Sequence, residues 1–162
     1  MTRYDDTIYI AGLQSLYNVG ATYVRRFIED FGSPYEAWNA VKNVENLKGY
    51  TYISIADKRA IAASARDEKL DYIFQKLDEY QMDVTTFLDK DFPSMLNQIY
   101  NPPAILFMRG NRALLDKRLN RIAIVGARRC SLYGRNVARM LGKELGKYST
   151  IIVSGGARGI DS

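Results

Sequence analysis

The chain has 162 residues, 47% hydrophobic and 12% aromatic, with a formal charge of +5. That composition suits a folded protein of one domain or two small ones. With no histidine and a single cysteine, Cys130, an internal disulfide, a His-based metal site and Ser-His-Asp or Cys-His catalysis are excluded. No apolar run approaches the roughly 20 residues that span a bilayer. The N-terminus, MTRYDDTIYIAGLQ, lacks a signal-peptide core. A cytoplasmic protein with no membrane partner is therefore expected.

The charge is unevenly spread. Residues 1–88 hold 10 Lys and Arg against 13 Asp and Glu, whereas residues 89–162 hold 13 against 5. A basic half of this kind points to a polyanionic partner.

Residues 1–83 read as a small helical bundle. Helical spacing is expected over Thr7–Tyr17 and Ala21–Phe31, the second with Val24, Phe27, Ile28 and Phe31 on one stripe. Ser33 and Pro34 fit the N-cap and first position of a short helix to Val41 around Trp38. Ile53–Ala65 and Lys69–Tyr80 complete the set, with Leu70, Ile73, Phe74 and Leu77 facing inward. The stretch LYNVGATYVRRF has the rhythm of a helix-hairpin-helix turn, but Asn18 stands where its first glycine belongs. It reads as a corner between helices with Gly20 at positive φ.

From Asp83 the pattern changes. DVTTFL alternates as a strand, and Ala104–Met108 is an apolar run between an Asn-Pro-Pro break and Arg109-Gly110. RIAIVG and TIIVSGG are continuous β-branched runs, the pattern of strands buried on both faces of a mostly parallel sheet. A helix over Ser131–Tyr148 lies between them, making a βαβ unit. Its expected packed stripe is Tyr133, Val137, Leu141 and Leu145. Arg135, Arg139, Lys143 and Lys147 form a basic stripe, read as a solvated face.

VGARRCSLYG follows the first of these strands without the later glycines of G-x-G-x-x-G, and without the Gly-Lys-Ser/Thr of a P-loop. An anion cradle remains: Gly126 turns the chain, Ser131 caps the helix, and Arg128 and Arg129 stand beside the helix N-terminus. The second loop, SGGARGIDS, leaves the next strand at the same sheet edge. Gly155 and Gly156 allow close backbone approach there, Gly159 allows positive φ, and Arg158 adds charge. Asp161 fits the N-cap of a further helix.

Three stretches in order, DKDFPSMLNQIYNPPAILFMRGN, IAIVGARRCSLYG and IIVSGGARGID, closely resemble the DNA-processing protein A (DprA/Smf) family. The resemblance implies a helical domain of sterile-alpha-motif or helix-hairpin-helix type over 1–83. It implies the first part of a Rossmann-like DNA-binding domain over 84–162. Its Gly-Ser/Thr/Ala-Arg motif falls on Gly126, Ala127 and Arg128. Its Ser-Gly-x-Ala-x-Gly-Ile/Val-Asp motif falls on Ser154–Asp161. The implied function is single-stranded DNA binding and protection in natural transformation and recombination, with loading of RecA. The implied DNA-contact set is Gly126, Ala127, Arg128, Arg129, Ser131, Ser154, Gly155, Gly156, Arg158 and Gly159. No cofactor, metal or catalytic residue is expected.

Two rivals stand beside this reading: a nucleotide-binding Rossmann-like enzyme, whose acids here would be Asp161 or Glu144, and a partner-binding fragment. Family members continue past the position of Ser162, so a truncated product or fragment is expected. A sheet cut short leaves bare edges and apolar faces, from which self-association is expected.

Overall fold

The structure, a computed structural model, describes residues 3–115, 120–148 and 150–162. It comprises two compact units, Met1–Gly110 and Asn111–Ser162. Together they are helices with two small sheets, an α+β composition.

The first unit holds α1 (Asp6–Gln14), α2 (Ala21–Phe31), α3 (Pro34–Val41), α4 (Ile55–Ser64), α5 (Asp67–Glu79), β1 (Asp83–Thr86) and β2 (Ile105–Met108). Side chains preceding three helices accept first-turn N–H groups: Asp5 from Ile8 at 3.2 Å, Ser33 from Glu36 at 3.2 Å, and Ser54 from Asp57 at 3.0 Å. Each satisfies a donor that has no partner within the helix. At the corner before α2 the expected conformations are exchanged. Asn18 takes the left-handed position, φ 55°, while Gly20 is extended at φ −88° as the residue preceding α2. Asparagine tolerates that region better than other side-chain-bearing residues, so it takes the glycine's place.

The core centres on Trp38, Phe27, Ile10, Leu13, Leu47 and Leu70, all but inaccessible to solvent. Trp38 donates its indole N–H to Asp67 at 2.8 Å, and Lys42 donates to the same oxygen at 2.6 Å. These bonds hold the Asp67 carboxyl below its ordinary pKa. Burial, reinforced by a bond to Asp30, raises the Tyr50 hydroxyl well above its ordinary value. On α5, Ile73 and Leu77 pack inward as expected, but Phe74 is exposed.

β1 and β2 pair antiparallel, with Asp83 opposite Met108 and Thr86 opposite Ile105. Ala104 and Ile105 are buried in the helical core, and Val84 and Phe87 pack against it. The compact unit therefore runs to Gly110, although the hydrophobic period changes near residue 83. Alternation identifies a strand but not the body it packs on. Arg25 of α2 ties this segment down, donating to Asn97 at 2.9 Å and to the Pro103 carbonyl at 2.8 Å.

The second unit is a βαβ: β3 (Asn120–Ala123), α6 (Leu132–Leu145) and β4 (Thr150–Val153). β3 and β4 are parallel, Asn120 opposite Thr150 and Ala123 opposite Val153, and Ile124 extends the pairing by donating to the Val153 carbonyl. Two expectations fail here. Among the described residues the four strands form two pairs, one of them antiparallel, rather than one mostly parallel sheet. β3 and β4 are not buried on both faces: Ile122 is 40% exposed and Val153 44%. Among the described residues of this unit, α6 is the one long helix available to cover the pair. Its packed face is also shifted. Gly134, Val137, Ala138, Gly142 and Leu145 are partly covered, whereas Tyr133 and Leu141 are exposed.

Candidate nucleic-acid interface

The two glycine loops leave the carboxyl ends of the adjacent parallel strands β3 and β4, the edge at which open α/β sheets bind ligands. Here they are fastened to each other. Asp161 accepts from the Gly126 N–H through Oδ1 at 3.0 Å and from the Gly155 N–H through Oδ2 at 3.1 Å. Ser154 donates its hydroxyl to the Asp161 carbonyl at 2.7 Å, and the Ile160 N–H reaches the Ala127 carbonyl at 3.4 Å.

Glycine is required at two of these positions for different reasons. A Cβ on Gly126 would lie 2.7 Å from Ile160, so Gly126 makes room for that side chain. To its sequence reading as a turn residue the structure adds a packing role. Gly159 has the expected positive φ, 104°, and a Cβ there would lie 2.2 Å from the Ala127 carbonyl oxygen. The backbones of the two loops touch at that point.

Ser131 caps α6 as expected, accepting the Gly134 N–H at 3.1 Å. Arg128, Arg129 and Arg158 are exposed. Among the described residues none of the three has an ion pair or a side-chain hydrogen bond. Gly156, at φ 63°, has open space where a Cβ would stand. Of the expected set, Gly126, Ala127, Arg128, Ser154, Gly155 and Gly159 are thus drawn into one clasp, and Arg129, Gly156 and Arg158 stand on its outside.

A cavity of about 250 Å³ lies alongside, lined by Arg135, Arg139 and Lys143 of α6 together with Ser154, Gly159 and Asp161. The basic stripe expected to be a solvated face thus borders a hollow. The sequence reading placed Ile160 and Asp161 within the family motif but left both out of the contact set, with Asp161 read as an N-cap. The signal was present in the tripeptide Gly-Ile-Asp, but nothing in it indicates that the carboxylate turns back onto the preceding strand ends. The acids a nucleotide enzyme would need are engaged, Asp161 on the two amides and Glu144 with Lys147 at 2.6 Å.

The family model for DNA recombination-mediator protein A matches residues 83–162. Over those residues the chain matches the DprA/Smf family. It is 36% identical over 108 residues to the DNA processing protein DprA of Bacillus subtilis, covering 62% of this chain and 36% of that protein. It is also 36% identical over 97 residues to protein Smf of Synechocystis, covering 55% of this chain and 24% of that one. The X-ray structure of DprA from Streptococcus pneumoniae superposes with a TM-score of 0.64 at 26% identity, over 99% of this chain and 52% of that chain. The chain spans about a third or less of the length of these curated relatives. No described helix is long and apolar enough to cross a membrane.

Proposed function

We propose that this chain carries part of the single-stranded-DNA-binding surface of a DprA/Smf protein acting in natural transformation and recombination, without catalysis. The observation that carries the reading is the clasp. Two glycine loops at one strand edge hold each other, and so present Arg128, Arg129 and Arg158 outward. Residues 111–162 contain 11 Lys and Arg against 3 Asp and Glu, so little acidic charge is at hand to neutralise them. Guanidinium groups fork onto phosphate oxygens and carry no base information, so binding is indifferent to sequence.

The finer fold reading goes with this function: a sterile-alpha-motif or helix-hairpin-helix-like bundle over 1–83 and the first part of a Rossmann-like domain over 84–162. The start of the family match at residue 83 supports that division along the sequence, while β1 and β2 pack with the helical unit as far as Gly110. RecA loading belongs to the proposal at the level of the whole family protein. Self-association belongs to it through the exposed apolar positions Ile122, Val125, Ile152 and Val153 of the second unit.

The test is oligo-dT binding by fluorescence anisotropy at several salt concentrations. Arg128→Ala is expected to weaken binding by about 1–3 kcal/mol and to flatten the slope of log K against log salt by about one phosphate contact. Unchanged affinity at low salt removes Arg128 from the surface. Light scattering of the same samples reads oligomeric state, and a strict monomer would refute self-association.

A further inference from the structure

We infer that Asp161 is an internal anion: its carboxylate fills the amide pair at the ends of β3 and β4 and keeps small phosphates out of it. Each carboxylate oxygen takes one N–H, that of Gly126 at 3.0 Å and that of Gly155 at 3.1 Å. These are the donors that a phosphate at this strand edge would use, and carboxylate and phosphate oxygens are interchangeable as charge-assisted acceptors.

The carboxylate is delivered rather than merely adjacent. Ser154 holds the Asp161 carbonyl at 2.7 Å. Ile160 packs where a Cβ on Gly126 would stand, and its tip lies 3.3 Å from where one on Gly134 would stand. Gly159 lets the loop close onto the Ala127–Arg128 backbone. In Gly-Ile-Asp the glycine permits contact, the isoleucine sets the depth and the aspartate supplies the anion. A tethered anion acts at an effective concentration on the order of millimolar or higher, so dilute free phosphate competes poorly. An arriving phosphate would also meet a like charge.

The inference deepens, and rests on, the reading of these loops as a phosphate-facing surface; it adds which phosphates are admitted. A mononucleotide phosphate needs the cradle and is refused. A polyanionic strand engages the outward arginines and does not need it.

Amide-resolved NMR of the 162-residue chain, titrated with inorganic phosphate against matched chloride, tests this. The Gly126 and Gly155 signals of the wild-type chain should show no saturable response. In Asp161→Ala both should move together and saturate, at a phosphate concentration at least about tenfold lower than any wild-type response, as expected for freeing a charge-assisted bond. Asp161→Asn, which keeps the shape and one acceptor, should release one of the two amides. Saturable wild-type shifts at both glycines would overturn the inference without any variant. A folded Asp161→Ala whose two amides ignore phosphate would overturn it as well. Failure of the wild-type chain to bind oligo-dT would instead count against the proposed function and leave the phosphate result to be read by itself.

Discussion

Replacing Gly159 by alanine tests whether the clasp, rather than the arginines alone, makes the surface. The added Cβ would lie 2.2 Å from the Ala127 carbonyl oxygen, 2.7 Å from that of Arg128 and 2.8 Å from the Arg128 Cα. Ordinary carbon–oxygen contacts begin near about 3.3 Å, so the loops must part by about 1 Å. The obstacle is backbone on both sides, which no rotamer change relieves. Holding alanine at φ 104° adds strain of about 1–3 kcal/mol. Two hydrogen bonds cross between the loops and oppose separation, Gly126 N–H to the Asp161 carboxylate and Ile160 N–H to the Ala127 carbonyl, at about 0.5–3 kcal/mol each with the charged one at the upper end. The two sides are comparable, so Gly159→Ala should leave the clasp open in a large share of molecules. The Gly126 amide resonance should lose its carboxylate-bonded position, and oligo-dT affinity should fall about tenfold, or about 1.4 kcal/mol. The salt slope should stay as it is, because no charge is removed. Gly156→Ala is the control: φ is 63° there but nothing stands within 4 Å, so it carries backbone strain without collision and should leave the clasp shut. Wild-type amide positions and affinity in Gly159→Ala would refute the reasoning.

Two further expectations concern the helical unit. In Gly12→Ala the new Cβ would meet the Leu70 side chain at 2.5 Å and the Trp38 ring at 3.0 Å. Overpacking of about 1–3 kcal/mol should outweigh a helix-propensity gain of about 1 kcal/mol, so thermal melting should show a lower Tm; an increase would show that Leu70 repacks freely. Asp67, held below its ordinary pKa by Lys42 and Trp38, contributes stability above the unfolded carboxylate value that is lost as pH falls through the lower folded one. Asp67→Asn should therefore cost up to about 1 kcal/mol in denaturant melts at neutral pH, screening being strong at this exposed site, and progressively less below about pH 4. A pH-independent difference would show that packing, not charge, is what the substitution removes.

Much of the fold was legible because local signals sufficed. Ser33 followed by Pro34 marks the start of α3, and the stripe of Val24, Phe27 and Ile28 is buried as its spacing requires. Errors arose where a local signal has two tertiary outcomes. An αL corner admits glycine or asparagine, and the chain uses Asn18. A β-branched run without alternation suits a strand covered on both faces, and its covering layers are other elements that the run itself does not encode. The stripe on α6 was drawn through large residues, of which Val137 and Leu145 are partly covered, yet the helix also rests on Gly134 and Gly142, where the missing side chains admit Ile160 and Ile152. Close approach is a property of the partner's bulk as much as of the face.

The same distinction governs the candidate site. A glycine after a strand reads as a place where something comes near, and from sequence that something is taken to be a ligand. Here it is the chain itself: Ile160 against Gly126, the Ala127–Arg128 backbone against Gly159, and the Asp161 carboxylate against two amides. Once those approaches are used internally, the donors left for an external phosphate are side chains, chiefly Arg128, Arg129 and Arg158. A surface built this way derives its affinity from charge rather than from a shaped amide nest. Binding should then be steep in salt and tolerant of sequence, as phosphate-directed recognition is. The glycines and Asp161 would matter through how well they hold the arginines in place. Substitutions in the clasp should therefore change affinity at constant salt slope, while substitutions of the arginines should change both.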